Sequence, residues 1–225
     1  MHGLITTANG PVTLLTANLP VELEDAKLQI KSHSDLDDDL VTDWIKAALQ
    51  DFEEATGHQV MLARREYWLD AFPCIDSRNN PTAKIELPFP KLVEVESVQY
   101  INADGELVEF SDGASPETVY WQAKYPDGVP AQRGWVEPKY GYSWPYPRVE
   151  AAAVRITFTC GYGEESADLP ALIKAALRFT VTDWNRFRGG AQTGNGPIAM
   201  PTGVEHILRK FKYAALQTIV PRSTL

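Results

Sequence analysis

Apolar positions recur at helical spacing in four stretches of this chain and at strand spacing between them. Behind Pro20, whose missing N–H is harmless in a first turn, Leu23, Ala26 and Ile30 share one face. Glu22, Glu24 and Asp25 lie where a helix start favours anions, and Lys27 and Lys31 lie toward its end. Ser34, followed by Asp35, Asp37 and Asp38, signals a second start. Leu36, Leu40, Val41, Trp44, Ile45, Ala48, Phe52 and Ala55 form its stripe, and Gly57 is its expected C-cap. A third helix is predicted after Asp168 as N-cap and Pro170, with Leu172, Ile173, Ala176, Thr180, Trp184 and Phe187 as its stripe and Gly189–Gly190 as its stop. A Gly/Pro-rich linker follows. Thr202 and Glu205 then make a capping box for a last amphipathic helix carrying Val204, Ile207, Leu208, Phe211 and Ala215.

The stretch from Gln59 to Gly163 changes period. Short runs rich in β-branched and aromatic residues start at Val60, Ala83, Val95, Glu106, Thr118, Arg133 and Ala153. Asp104–Gly105 between two of them predicts a hairpin. Val154, Ile156, Phe158 and Cys160 alternate with Arg155, Thr157 and Thr159, the pattern of a half-buried strand. The expected fold is therefore α+β: a helical bundle of two N-terminal helices plus C-terminal helices, with a β-rich insertion between helices. In boundaries, 1–18 is an extended N-terminal arm, 19–58 and 168–190 are the helical core, 59–163 is the insertion, and 191–225 is a flexible linker and C-terminal helix.

Composition narrows the function. The chain has 225 residues, 44% hydrophobic and 23% charged, enough for a real core. Its net charge of -9 disfavours general nucleic-acid binding, because phosphates repel it. That charge is polarised. Asn18–Gly57 holds eleven acids and three bases, a net of -8, whereas Val204–Leu225 is +3. Such an acidic pair of helices and a basic final helix suit two different partners, although ordinary solvated faces give the same counts. Cys74 and Cys160 are far apart and form no CxxC pair, so free thiols in a reducing compartment are expected. The first residues lack the charged and apolar regions of a signal peptide, and no window reaches membrane-helix length; no membrane partner is expected.

Catalytic and metal signatures fail on inspection. His2, His33, His58 and His206 have no ligand spacing. Asp35, Asp37 and Asp39 imitate a calcium loop, but Leu40 and Lys46 occupy its required glycine and glutamate positions. Gly161-Tyr-Gly163 lacks the third glycine of a dinucleotide fingerprint. No carboxylate pair nominates itself for a hydrolase. The expectation is a non-enzyme with no cofactor. The aromatic cluster Trp121, Tyr125, Trp135, Tyr140, Tyr142, Trp144 and Tyr146 fits a core, a protein interface or a sugar platform. Trp135, Tyr142 and Trp144 are the candidates for an interface.

In order along the chain, PVELEDAKLQIK, SDLDDDLVTDWIKAALQDFEEATGHQV, KIELPFPKLVEVESVQYINADGE, PKYGYSWPYPR and VRITFTCGYGEESADLPALIKAALRFTVTDWNRFR resemble the head–tail connector (adaptor) proteins of tailed bacteriophages. The resemblance covers most of Pro20–Arg188. It implies a structural virion protein, assembled in the host cytoplasm, that forms a homo-oligomeric ring, commonly of about twelve copies, at the head–tail junction. Its partners would be the portal, a stopper or tail-completion protein, and genomic DNA passing without specific binding. On that reading Val204, Ile207, Arg209, Lys210, Phe211 and Lys212 would meet the portal, and Asp37, Asp38 and Asp39 would face the DNA channel. The alternatives are a carbohydrate-binding β module of a tail appendage and a neck or tail-completion protein.

Overall fold

Two apolar cores organise the chain, one for each kind of periodicity. They are seen in a computed structural model that describes residues 7–32, 34–74, 83–111, 119–186 and 202–216. The architecture is α+β, as the pattern predicts.

The first core is helical. It joins α1 (Leu23–Ile30), α2 (Asp38–Thr56), α3 (Ala171–Arg186) and α4 (Thr202–Leu216). Val41, Ile45, Ala48 and Phe52 of α2 pack with Ile173, Ala176, Leu177 and Val181 of α3 and with Ile207 and Phe211 of α4. Gly57 ends α2 with φ of 71°, a left-handed conformation natural to glycine, and its N–H bonds Glu53 O at 2.8 Å. Two details differ from the expected stripes. Leu36 lies in a 3-10 turn (Asp35–Asp37) before α2, where the Ser34 hydroxyl accepts from its N–H at 3.2 Å; with Leu40 it faces solvent, so burial starts at Val41. Asp168 does not cap α3. It closes a 3-10 turn (Ser166–Asp168) by a reciprocal box with Glu165, and α3 begins after Pro170, whose carbonyl takes the Ile173 and Lys174 N–H groups. The buried seam is correspondingly rotated, with Leu177 and Val181 inside and Leu172 exposed. Phe187, Gly189, Gly190 and the linker lie outside the described residues.

The second core lies on the sheets. Strands β1 (Thr7–Leu14), β2 (Ala63–Leu69), β4 (Leu92–Ile101), β5 (Leu107–Glu109) and β8 (Val154–Cys160) form an antiparallel sheet in the order β1-β2-β8-β4-β5. Strands β3 (Ile85–Glu86), β6 (Trp121–Lys124) and β7 (Trp135–Pro138) form a second, in the order β3-β7-β6. Leu69, Phe72, Leu87, Val98, Phe110, Val136, Ile156 and Phe158 fill the core. The β4–β5 hairpin turns at Asp104–Gly105, with Gly105 at φ 87° and the Asn102 side chain accepting from the Asp104 and Glu106 N–H groups. Two expectations shift here. Residues 7–14, read as an arm, are extended but paired with β2 as an edge strand. Exposed on both faces from Pro11 to Leu15, the strand has no buried side to impose period two. β8, read as half-buried, is central and covered on both faces: Thr157 and Thr159 are buried too, and Thr159 Oγ1 donates to Glu96 Oε1 at 2.9 Å beneath the Arg64–Glu96 ion pair.

A polar hinge joins the cores. Glu53, held up from its ordinary pKa by burial, accepts from Gln59 Nε2 at 2.9 Å and from the Val60 N–H at 2.8 Å. Gln59 accepts from Arg65 Nε at 2.9 Å, and the Arg65 guanidinium lies 3.8 Å over the Phe89 ring.

Candidate functional site

Three surfaces carry the residues singled out above, and the structure treats them differently. The first is the tip where α1 turns into α2. Lys27 is buried there by its stem and clasps Asp38 at 2.7 Å and Asp35 at 2.9 Å. Hydrogen bonds to Asp38 and then Asp35 raise its pKa above the usual lysine value. Of the three expected channel acids, Asp38 is thus neutralised within the chain. Asp39 is exposed and Asp37 is half-buried. Leu28, Leu36 and Leu40 stand exposed at the same tip among Asp35, Asp39 and Asp43.

The second surface is α4. Its six expected contact residues divide cleanly. Val204, Ile207 and Phe211 are buried in the chain itself, whereas Arg209, Lys210 and Lys212 face solvent. Phe211 packs edge-on against Phe52, ring centroids 5.5 Å apart, and against His58 at 5.2 Å. Arg209 is held by Glu205 at 2.7 Å.

A hydrogen-bond chain fixes α4 to the rest. The Phe211 carbonyl can only accept, so His58 Nε2 carries the proton and donates to it at 3.1 Å. His58 Nδ1 then accepts from the Tyr162 hydroxyl at 3.2 Å, and that oxygen accepts from the Ala131 N–H at 3.2 Å. Burial, aided by the nearby Arg133 charge, lowers His58 to about 4 and keeps it neutral. Burial likewise pushes Tyr162 up to about 12. The sequence offered His58 only as a lone histidine. Its role depends on contacts 104 and 153 residues away.

The third surface is the aromatic segment after β7. Trp144 is core: its indole N–H donates to Ala83 O at 2.7 Å and its ring stacks on Phe72 at 4.6 Å. A sugar platform built on this ring has no access to it. Trp135 is half-buried with Lys84 Nζ 5.2 Å from its ring centre. Tyr142 stacks on Tyr120 at 4.5 Å and remains half exposed. Tyr140, Tyr146 and Val149 project fully into solvent. Sequence could not sort these rings. Tyr140, Tyr142, Trp144 and Tyr146 are spaced by two, which in an extended segment sends all of them to one side, so nothing local separates the buried ring from the exposed ones.

An open cleft of about 700 Å³ lies where Lys91, Tyr125 and Asp127 face the turn after β8. Two of its acids are engaged structurally: Asp127 pairs with Lys91 at 3.2 Å and accepts from the Gly128 N–H, and Asp168 accepts from the Glu165 N–H. Cys160 is buried and its thiol is pushed up to about 12 by desolvation, while Cys74 is exposed. Among the described residues no group of three or more His, Cys, Asp or Glu is placed to hold a metal ion, and no helix is long and apolar enough to cross a membrane.

No family model and no curated protein matches the chain. Its fold is nevertheless found in solved structures. A chain of the native gene transfer agent (GTA) virion is similar with a TM-score of 0.62 at 17% identity, over 90% of this chain and 95% of that one. A chain in the neck of the empty GTA particle, computed with C6 symmetry, gives 0.61 at 17% identity with the same coverage. One in the neck of the native GTA particle, computed with C12 symmetry, gives 0.56 at 18% identity, again over 90% and 95%. The bundle and the β insertion of this chain are therefore one shared fold, seen also in chains of the GTA virion and neck.

Proposed function

We propose that this chain is a structural neck protein of a tailed-phage-type virion, and within the neck a connector (adaptor) ring subunit between the portal and the stopper or tail. One observation carries the reading: the fold match runs through 90% of this chain and 95% of a chain found in a neck computed with C12 symmetry, so little of either is left over for another task. The chemistry agrees with a role in assembly. Among the described residues the buried groups Lys27, His58 and Cys160 are engaged in ion pairing, hydrogen bonding or packing.

In a ring about twelve copies would meet head to tail, each through two different patches. Asp37 at the α1–α2 tip would line the channel and let DNA slide without counterion release. The portal contact would use the exposed face of α4, Arg209, Lys210 and Lys212, while Val204, Ile207 and Phe211 hold that helix to the body. The test is co-sedimentation with portal. Lys210→Glu with Lys212→Glu should abolish binding without lowering the melting temperature; undiminished binding removes the portal assignment. A map of the assembled particle with no density for the chain below the portal removes the neck reading itself.

A further inference from the structure

Two apolar patches of opposite polarity are left open, and they lie on different parts of the molecule. The first is the loop Lys139–Val149. It holds two bases, Lys139 and Arg148, and no acid, in a chain of net charge -9. Tyr140, Tyr146 and Val149 are 103%, 96% and 101% exposed, an arrangement that leaves large rings wholly in water. The loop that carries them is pinned. Trp144 is bonded to Ala83 O, Tyr142 stacks on Tyr120, the Tyr142 N–H bonds Lys139 O at 3.0 Å, and the Arg148 N–H bonds Ile101 O at 2.9 Å. Rigid, amphipathic tyrosines on a fixed loop bind at small entropic cost. The second patch is the α1–α2 tip. There Leu36 is 96%, Leu28 74% and Leu40 41% exposed, and Asp39 and Asp43 stand exposed near the start of α2, while Asp35 is paired with Lys27.

We propose that the Tyr140–Tyr146–Val149 loop of one copy docks on the leucine-lined acidic tip of the next copy. The ring reading above is assumed here, and the proposal names the surface that would close it. Charge selects the occupant: a cationic aromatic knob is complementary to an acidic apolar socket, and this chain carries both. Area agrees. Aromatic side chains bury roughly 150–250 Å² each, so two tyrosines and a valine supply about half of the ~800 Å² per partner of a standard interface. Knob and socket belong to separate regions, so one copy can engage two neighbours and the contact can propagate from copy to copy. Arg148 is shared with Glu150 at 3.5 Å, leaving Lys139 as the freer of the two bases at the knob.

The experiment is sedimentation velocity of the full chain with two variants, Tyr140→Ser/Tyr146→Ser and Leu36→Ser/Leu40→Ser. All four side chains are exposed, so both variants should melt like the wild type. Wild type should form multimers, and each variant should associate at least about tenfold more weakly. Mixed one to one, the two variants should form a dimer and stop there, because only one good knob meets one good socket. Wild-type multimers left intact by both variants overturn the proposal and spare the ring reading. A mixture that stays monomeric assigns the loop to a different protein and also overturns it. A wild-type chain that remains monomeric at every concentration overturns proposal and ring reading together.

Discussion

α4 and the loop Lys139–Val149 both read from the sequence as partner-seeking surfaces, one a basic amphipathic helix, the other a run of aromatics. The fold treats them oppositely. It turns Val204, Ile207 and Phe211 of α4 inward, the last onto Phe52 and His58, and leaves Glu205, His206, Arg209, Lys210 and Lys212 outside. It buries one ring of the loop, Trp144, and leaves Tyr140 and Tyr146 in water. A helix with one apolar stripe can satisfy that stripe against its own chain. A Pro-broken loop cannot, because successive side chains diverge and only some can reach the core. Exposed apolar groups on a pinned loop are therefore the better marker of a partner than amphipathicity alone.

Substitutions can break this contrast, beginning with the largest effect. Phe211→Ala should destabilise the chain by about 3–5 kcal/mol in urea unfolding, as expected for a fully buried ring; a loss under about 1 kcal/mol would mean that α4 is not part of the core. The attachment of α4 should next depend on pH. His58 is about 4 when folded and ordinarily 6.5, so the unfolded chain takes up the proton first as pH falls. Stability is complete above about pH 6.5, declines below it, and levels off near pH 4 after a loss of about 3 kcal/mol. The His58→Gln variant should lack this part of the slope when urea midpoints are compared at pH 7.5 and 4.5. Lys27→Met should lower the urea midpoint by less than either of these, because Asp35 stays in water when its partner is lost. Tyr140→Ser should change stability by less than about 0.5 kcal/mol, so that any effect on assembly reports contact and not folding.

How much could be read in advance followed the range of the interactions. Val41, Ile45, Ala48 and Phe52 were legible because a helix displays its buried face within a few residues. The Asp104–Gly105 hairpin was legible for the same local reason. β1 was missed as a strand because pairing with β2 lies in backbone hydrogen bonds, which leave no trace in side-chain pattern. β8 looked half-buried because Thr157 and Thr159 are polar, although their neighbours cover them. At the candidate surfaces, charge polarity was visible, but which apolar side chains stay outside was not. Phe211 and Tyr140 are equally suited to a core or an interface, and only long-range packing separates them.

Cys160 and Cys74 give the molecule one further property. The first thiol is sealed between strands and kept protonated, and the second is open at the surface. A maleimide dye near neutral pH should accordingly attach at a single address on the native chain, without engineering. The chain then carries its own optical marker, placed at the end of the described segment that leaves β2, from which the proposed association of copies can be followed by fluorescence.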